Sequence, residues 1–245
     1  MSGSGGGTSD ADVPDQTGGS GGADADADAG PFCASLNPAP TLCSDFDQQD
    51  LPAGWDGLAQ WGGCVAVLDS GASVSAPRSL SITSPVLGDS EQCASALEGA
   101  FPQPTSTLVI ELDVYVEVFD SPEWVHLVVV QLNGAEGFDE IVLRMRTNEA
   151  SVTEGAILND GGLLNSGHPV ANVPAVGQWS HVRWELSFGG STAFSNVNVN
   201  GTSSGDSIHA KSFVGPVDLQ VGVAGVVGPL QSQVLRFDNI VVDVL

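Results

Sequence analysis

The chain has 245 residues, 42% of them hydrophobic, with 31 glycines, 14 prolines and thirty acids against six basic side chains, a formal net charge of −24. A chain this acidic repels nucleic-acid phosphates and anionic lipid surfaces, both of which are bound through Lys and Arg patches. No run of about 18 apolar residues occurs, so no transmembrane segment is expected.

Residues 1–31 consist almost entirely of Gly, Ser, Ala and Asp with no aromatic side chain. Such a segment cannot bury enough apolar surface to offset the entropy of ordering it, and it reads as a disordered acidic tether. Residues 32–245 are then expected to form one folded domain. The opening Met1-Ser-Gly-Ser-Gly-Gly-Gly is similar to the start of a mature bacterial lipoprotein, with Met1 where the lipidated cysteine would stand. That similarity implies export and an N-terminal lipid anchor.

Four cysteines, Cys33, Cys43, Cys64 and Cys93, form an even set without the Cys-x-x-Cys spacing of a zinc site. They allow three connectivities; nearest-neighbour bridging favours Cys33–Cys43 and Cys64–Cys93, which close short loops. Paired cysteines place the chain in an oxidising compartment: extracellular, periplasmic or on the cell surface.

From Leu42 onward, short apolar runs alternate with Gly, Pro, Asn and Asp. Leu108, Ile110, Leu112, Val114, Val116 and Val118 share one face of a strand, leaving Glu111, Asp113, Tyr115 and Glu117 on the other. Val125 to Leu132 is apolar except for His126 and Gln131, and it ends at the turn signal Asn133-Gly134. Ile141 to Thr147 follows, with Arg144 and Arg146 on one face. Trp179 to Phe188 alternates cleanly, Asn196 to Gly201 runs into an Asn-Gly turn, and Val217–Val223 and Val234–Leu245 supply two more strands. Many strands without a capped helical stripe predict an all-β antiparallel sandwich.

Gly177-Gln-Trp-Ser-His-Val182, Val197-Asn-Val-Asn-Gly201 and Arg236-Phe-Asp-Asn-Ile-Val-Val242, in that order, resemble strands of the concanavalin A-like lectin/glucanase superfamily, which includes laminin G-like and pentraxin domains. Leu42-Cys-Ser-Asp-Phe-Asp47 followed by Gly54-Trp55 is similar to the opening of such domains. The resemblance spans about 42–245 and implies a two-sheet jelly roll with adjacent first and last strands.

That topology would bring Asp45, Asp47 and Asp238 together, and related jelly rolls hold a structural calcium ion in this region. Calcium takes six to eight oxygen ligands. The glucanase branch places its catalytic carboxylates as Glu-x-Asp-x-Glu on one strand. Glu111, Asp113 and Glu117 depart from that spacing, and at about 3.3 Å per residue Glu111 and Glu117 lie roughly 20 Å apart, too far for an acid and nucleophile pair. His126, His168, His181 and His209 show no metal-ligand spacing.

The expected function is therefore a non-catalytic binding or adhesion module outside the cell. A glycan, or else a surface protein, is the expected partner, on a polar face that includes Glu111, Asp113, Tyr115, Arg144 and Arg146. The alternatives are a glycoside hydrolase or lyase of the same fold, and a structural surface lipoprotein with no small ligand.

Overall fold

The computed structural model describes residues 31–47, 50–101, 106–134, 137–158, 162–188, 193–209 and 216–245. The tether and the lipid-anchor expectation fall on residues outside these, apart from Pro31, which precedes a four-residue helix α1 (Phe32–Ser35).

Among the described residues, fifteen strands follow in two antiparallel sheets. Those of the first sheet are β1 (Leu42–Ser44), β3 (Val65–Asp69), β4 (Ser79–Ser84), β6 (Thr107–Val118), β11 (Trp179–Ser187), β12 (Ala193–Val199), β13 (Thr202–Ile208) and β15 (Gln233–Val244). They run in the order β13-β12-β11-β6-β15-β4-β3, and β1 also pairs with β15. The second sheet holds β2 (Gly57–Trp61), β5 (Gln92–Phe101), β7 (Val125–Gly134), β8 (Gly137–Arg146), β9 (Glu149–Leu158), β10 (Leu163–Pro169) and β14 (Val217–Val227). Its order is β10-β9-β8-β7-β14-β5-β2.

The alternation read from sequence sets the core. Leu108, Ile110, Leu112, Val114 and Val116 of β6 are fully buried and meet Leu219, Val221, Val128, Val130 and Ile141 of the other sheet in one hydrophobic cluster. Val118, expected on the same face, is instead 48% exposed, because the β6–β15 register shifts beside it. Trp184 is fully buried and donates its indole N–H to Ser195 Oγ at 2.9 Å, so the largest core side chain leaves no unpaired donor.

First and last strands are adjacent as expected: Leu42 pairs with Val242 and Ser44 with Ile240. Both disulfides form with the favoured pairing, Cys33–Cys43 and Cys64–Cys93. They are consistent with an extracellular setting. No helix among the described residues is long and apolar enough to cross a membrane.

Candidate functional site

The five residues expected to share one polar face lie on two. Glu111, Asp113 and Tyr115 are on β6 and point outward from the first sheet, whereas Arg144 and Arg146 are on β8 and point outward from the second. Alternation tells which side chains leave the core; it does not tell which sheet a strand joins.

On the first sheet the outward charges satisfy one another. Glu111 accepts from Arg183 at 2.9 Å, and Asp113 accepts from His181 at 3.0 Å and from the Asn239 amide at 2.9 Å. Glu117 accepts from Arg236 at 2.8 Å. Tyr115 packs against Trp179 with ring centroids 5.4 Å apart. Asp113 is the main reason that the His181 imidazole sits above its ordinary value. This face is a set of mutually paired groups.

Asp45 and Asp47 follow β1, and Asp238 lies on β15, the strand that pairs with β1. Among the described residues, no group of three His, Cys, Asp or Glu side chains is placed to hold an ion. Asp45 accepts from the backbone N–H groups of Cys33 and Asp47. Asp238 is fully buried and takes four protein donors: the N–H groups of Val74, Ser75 and Asn239, and the Ser75 hydroxyl. These bonds pin the loop between β3 and β4. Burial, followed by the Asp45 charge, raises the Asp47 carboxyl, and its Oδ1 is buried without a hydrogen-bond partner.

The second sheet presents a different arrangement. Val125, Val128, Val130 and Leu132 of β7 and Ile141, Leu143 and Met145 of β8 belong to the core, so His126, Gln131, Glu140 and Arg144 point outward. His126 lies directly opposite Arg144 across β7 and β8, and Gln131 opposite Glu140. Between these pairs, Val129 and Val142 also face outward yet are only 4% exposed.

Arg144 lies 4.2 Å above the Trp124 ring and donates from Nε to Ser151 Oγ at 3.1 Å. Arg146 lies 4.6 Å from the same ring and pairs with Glu149 at 2.6 Å. Stacking on an aromatic face fixes a guanidinium without neutralising it. Among the described residues Arg144 makes no ion pair, whereas Arg146, Arg183 and Arg236 each do. Burial and the Arg146 charge together lower the Arg144 guanidinium from its ordinary value.

His126 is set apart as well. His168, His181 and His209 each hydrogen-bond a carboxylate, at 2.8, 3.0 and 2.9 Å. Among the described residues His126 has no such bond. Burial holds its imidazole below the ordinary value; the Glu140 charge opposes this, and the smaller effect of Arg144 adds to it. It is therefore neutral at neutral pH. Its neighbour on β14 is Gly225, where a Cβ would come within 3.5 Å of His126 Nδ1. The absence of a side chain leaves the ring approachable.

Beside Arg144 lies a cavity of about 400 Å³ lined by Trp124, Asn148, Glu149, Ser151 and Val173 among others. An unpaired, half-buried guanidinium next to a neutral imidazole and an open cavity can hold an anion and take a proton from it.

Sequence reasoning named Arg144 and Arg146, gave His126 no role and did not single out Trp124. The available signal was His126 itself, a polar interruption of an otherwise apolar strand. Of the two tryptophans near the cysteines, Trp55 is buried and bonded to Ser44 Oγ at 3.0 Å, while Trp61 is 49% exposed on β2.

No family model matches the chain. No curated protein sequence is similar to it. Solved structures are similar in fold. An endo-β-1,4-glucuronan lyase from the fungus Trichoderma reesei aligns over 84% of this chain and 96% of its own, with 11% identity and a TM-score of 0.67. The cellulose-induced protein Cip1 aligns over 82% and 96%, with 12% identity and a TM-score of 0.56. A carbohydrate esterase from the Shiga toxin-encoding bacteriophage phi24B aligns over 84% and 98%, with 12% identity and a TM-score of 0.50.

The expectation of a non-catalytic binding module is corrected at this point. The jelly roll is shared with a polysaccharide lyase and a carbohydrate esterase, and the outer face of the second sheet places His126 directly opposite Arg144. The chain has the concanavalin A-like jelly-roll fold, in a form similar to that of the glucuronan lyase.

Proposed function

We propose that the protein is a polysaccharide lyase that cleaves a uronate-containing glycan by β-elimination on the outer face of the second sheet. The observation that carries this reading is the pairing of Arg144, without an ion-pair partner among the described residues, with the neutral His126 directly across the strands.

β-Elimination needs a group that neutralises the uronate carboxylate, so that the adjacent C–H becomes acidic, and a base to take that proton. Arg144 would bind the carboxylate through its guanidinium, held in place by Trp124 and Ser151. His126 would remove the C5 proton. The C–H electrons form the C4–C5 double bond, and the C4–O4 bond breaks with its electrons going to the leaving oxygen. The proton then passes from the imidazolium to that oxygen, so one residue serves as base and acid. Glu140, close enough to raise the His126 imidazole, would favour the transient imidazolium. Tyr115, the only tyrosine in the sequence, is on the other sheet and takes no part. The two disulfides suit an exported enzyme, and a lipid-anchored position at the cell surface is part of the same proposal.

The test is incubation of the purified protein with uronate polymers while following the ultraviolet absorbance of the unsaturated product. Turnover that disappears in His126→Ala and Arg144→Ala, both still folded by circular dichroism, supports the reading. Release of reducing ends without an unsaturated product would mean hydrolysis and would refute it.

A further inference from the structure

The charges around Arg144 bear on the class of glycan, an inference that rests on the lyase reading above. Among the described residues, Arg144 is the one arginine pointing outward from the second sheet without an ion pair; Arg146 is held by Glu149. Carboxylates stand along the same face. On the neighbouring strand β9 is Glu149, which lines the 400 Å³ cavity. On β8 itself, four residues from Arg144, is Glu140, with Asp218 of β14 and Glu98 of β5 farther across the sheet; the three stand at the registers of Gln131, Gln131 and Gln220.

Each of these three is matched with a carboxamide: Gln131 donates to Glu140 at 3.0 Å, Gln220 to Glu98 at 3.1 Å, and Asn133 to Asp218 at 3.4 Å. A carboxylate beside an amide offers an acceptor and a donor side by side, which suits the neighbouring hydroxyls of a neutral sugar. The same carboxylate repels a second uronate over several ångströms, a repulsion that salt weakens.

We infer that the glycan taken by this face carries its uronates singly, each seated at Arg144 with neutral sugars on either side, rather than in an unbroken run. A polymer with a carboxylate on every residue would place its second and third charges against Glu149 and Glu140.

The experiment compares homopolymeric β-1,4-glucuronan with a polymer in which glucuronate alternates with neutral N-acetylglucosamine. Cleavage is followed by the unsaturated product and binding by affinity electrophoresis, at low and high salt. The alternating polymer should show a kcat/KM at least about tenfold higher and tighter binding, with the gap narrowing in salt. Glu149→Gln, which removes one of these charges and frees Arg146, should raise cleavage and binding of the homopolymer and shrink the difference. Equal or better binding and cleavage of the homopolymer overturns the inference while leaving the lyase reading intact. Failure to cleave either polymer overturns the lyase reading, and the binding comparison still decides whether singly placed charges are preferred. A polymer ratio unchanged in Glu149→Gln removes the neighbouring carboxylates as its cause.

Discussion

His126 and Arg144 occupy directly opposed positions on β7 and β8, one neutral and one charged, on a face where Val129 and Val142 are covered. A cation near an imidazole disfavours its protonation, so Arg144 adds to burial in keeping His126 a free base, against the larger opposing charge of Glu140.

That relationship predicts the pH dependence of turnover. His126 must be unprotonated to act, and its value is lowered from 6.5. Activity should rise with pH through a midpoint below 6.5 and stay level above it. Arg144→Gln should move the midpoint upward, because a charge that opposes protonation is removed. A kcat/KM profile against pH checks both. A midpoint above 7 in the unaltered enzyme would point to another base.

Trp124 should act through Arg144 and not through substrate alone. Trp124→Ala removes the surface on which both guanidinium groups rest and should raise KM, with loss of up to about tenfold in kcat/KM. Arg144→Ala should cost more, about 10²–10³-fold, the loss seen when a transition-state charge partner is deleted. Steady-state kinetics of the two variants, with Trp124→Phe as a partial rescue, tests the order of effects.

Stability should fall as the solution becomes less acidic. Asp139 and Asp238 are both pushed up to about 7, chiefly by burial, and Asp139 additionally by its neighbour Glu154. Between pH 3.8 and 7 the folded chain therefore holds protons that the unfolded chain has released. The stabilisation is complete below 3.8 and is lost as pH rises through about 7. Melting temperature should decline over that window. Asp139→Asn should flatten the decline and raise the midpoint at pH 8 by on the order of 2–5 °C. A lower midpoint for that variant at pH 8 would contradict the assignment.

Reduction should weaken the fold. The Cys64–Cys93 bridge ties the segment before β3 to β5, across the two sheets, and closes the longer loop, with a sequence separation of 29 against 10 for Cys33–Cys43. Its removal by paired serine substitution should cost roughly 2–5 kcal/mol. Denaturant titration of the variant gives the value directly.

Much of the fold was legible because seven strands carry strong signals of their own. β6, β7, β11 and β15 announce themselves by alternation or by near-continuous apolar runs, and their central places in the sheets explain why. β10, reading Leu163-Leu-Asn-Ser-Gly-His-Pro169, and β13, reading Thr202-Ser-Ser-Gly-Asp-Ser-Ile208, gave no such pattern. Both are edge strands, with one neighbour each and little apolar surface to hide. β5 was obscure for another reason: Cys93-Ala-Ser-Ala96 is built of small residues whose burial comes from neighbours packing over them. The site was half legible. Arg144 and Arg146 stood out on a strand face, but the grouping with Glu111, Asp113 and Tyr115 required knowing which strands share a sheet. His126 stood among apolar residues, and its significance depends on partners that it lacks.

The pairing of β1 with β15 brings the beginning and end of the folded chain into register, with the Thr41 N–H on Asp243 and the Val244 N–H on the Thr41 hydroxyl. These strands belong to the first sheet, while His126 and Arg144 stand on the second. The protein is thus suited to being rewired: residues 31 and 245 can be joined by a linker and the ring reopened at the Asn200-Gly201 hairpin, leaving His126 and Arg144 on an undivided stretch of chain.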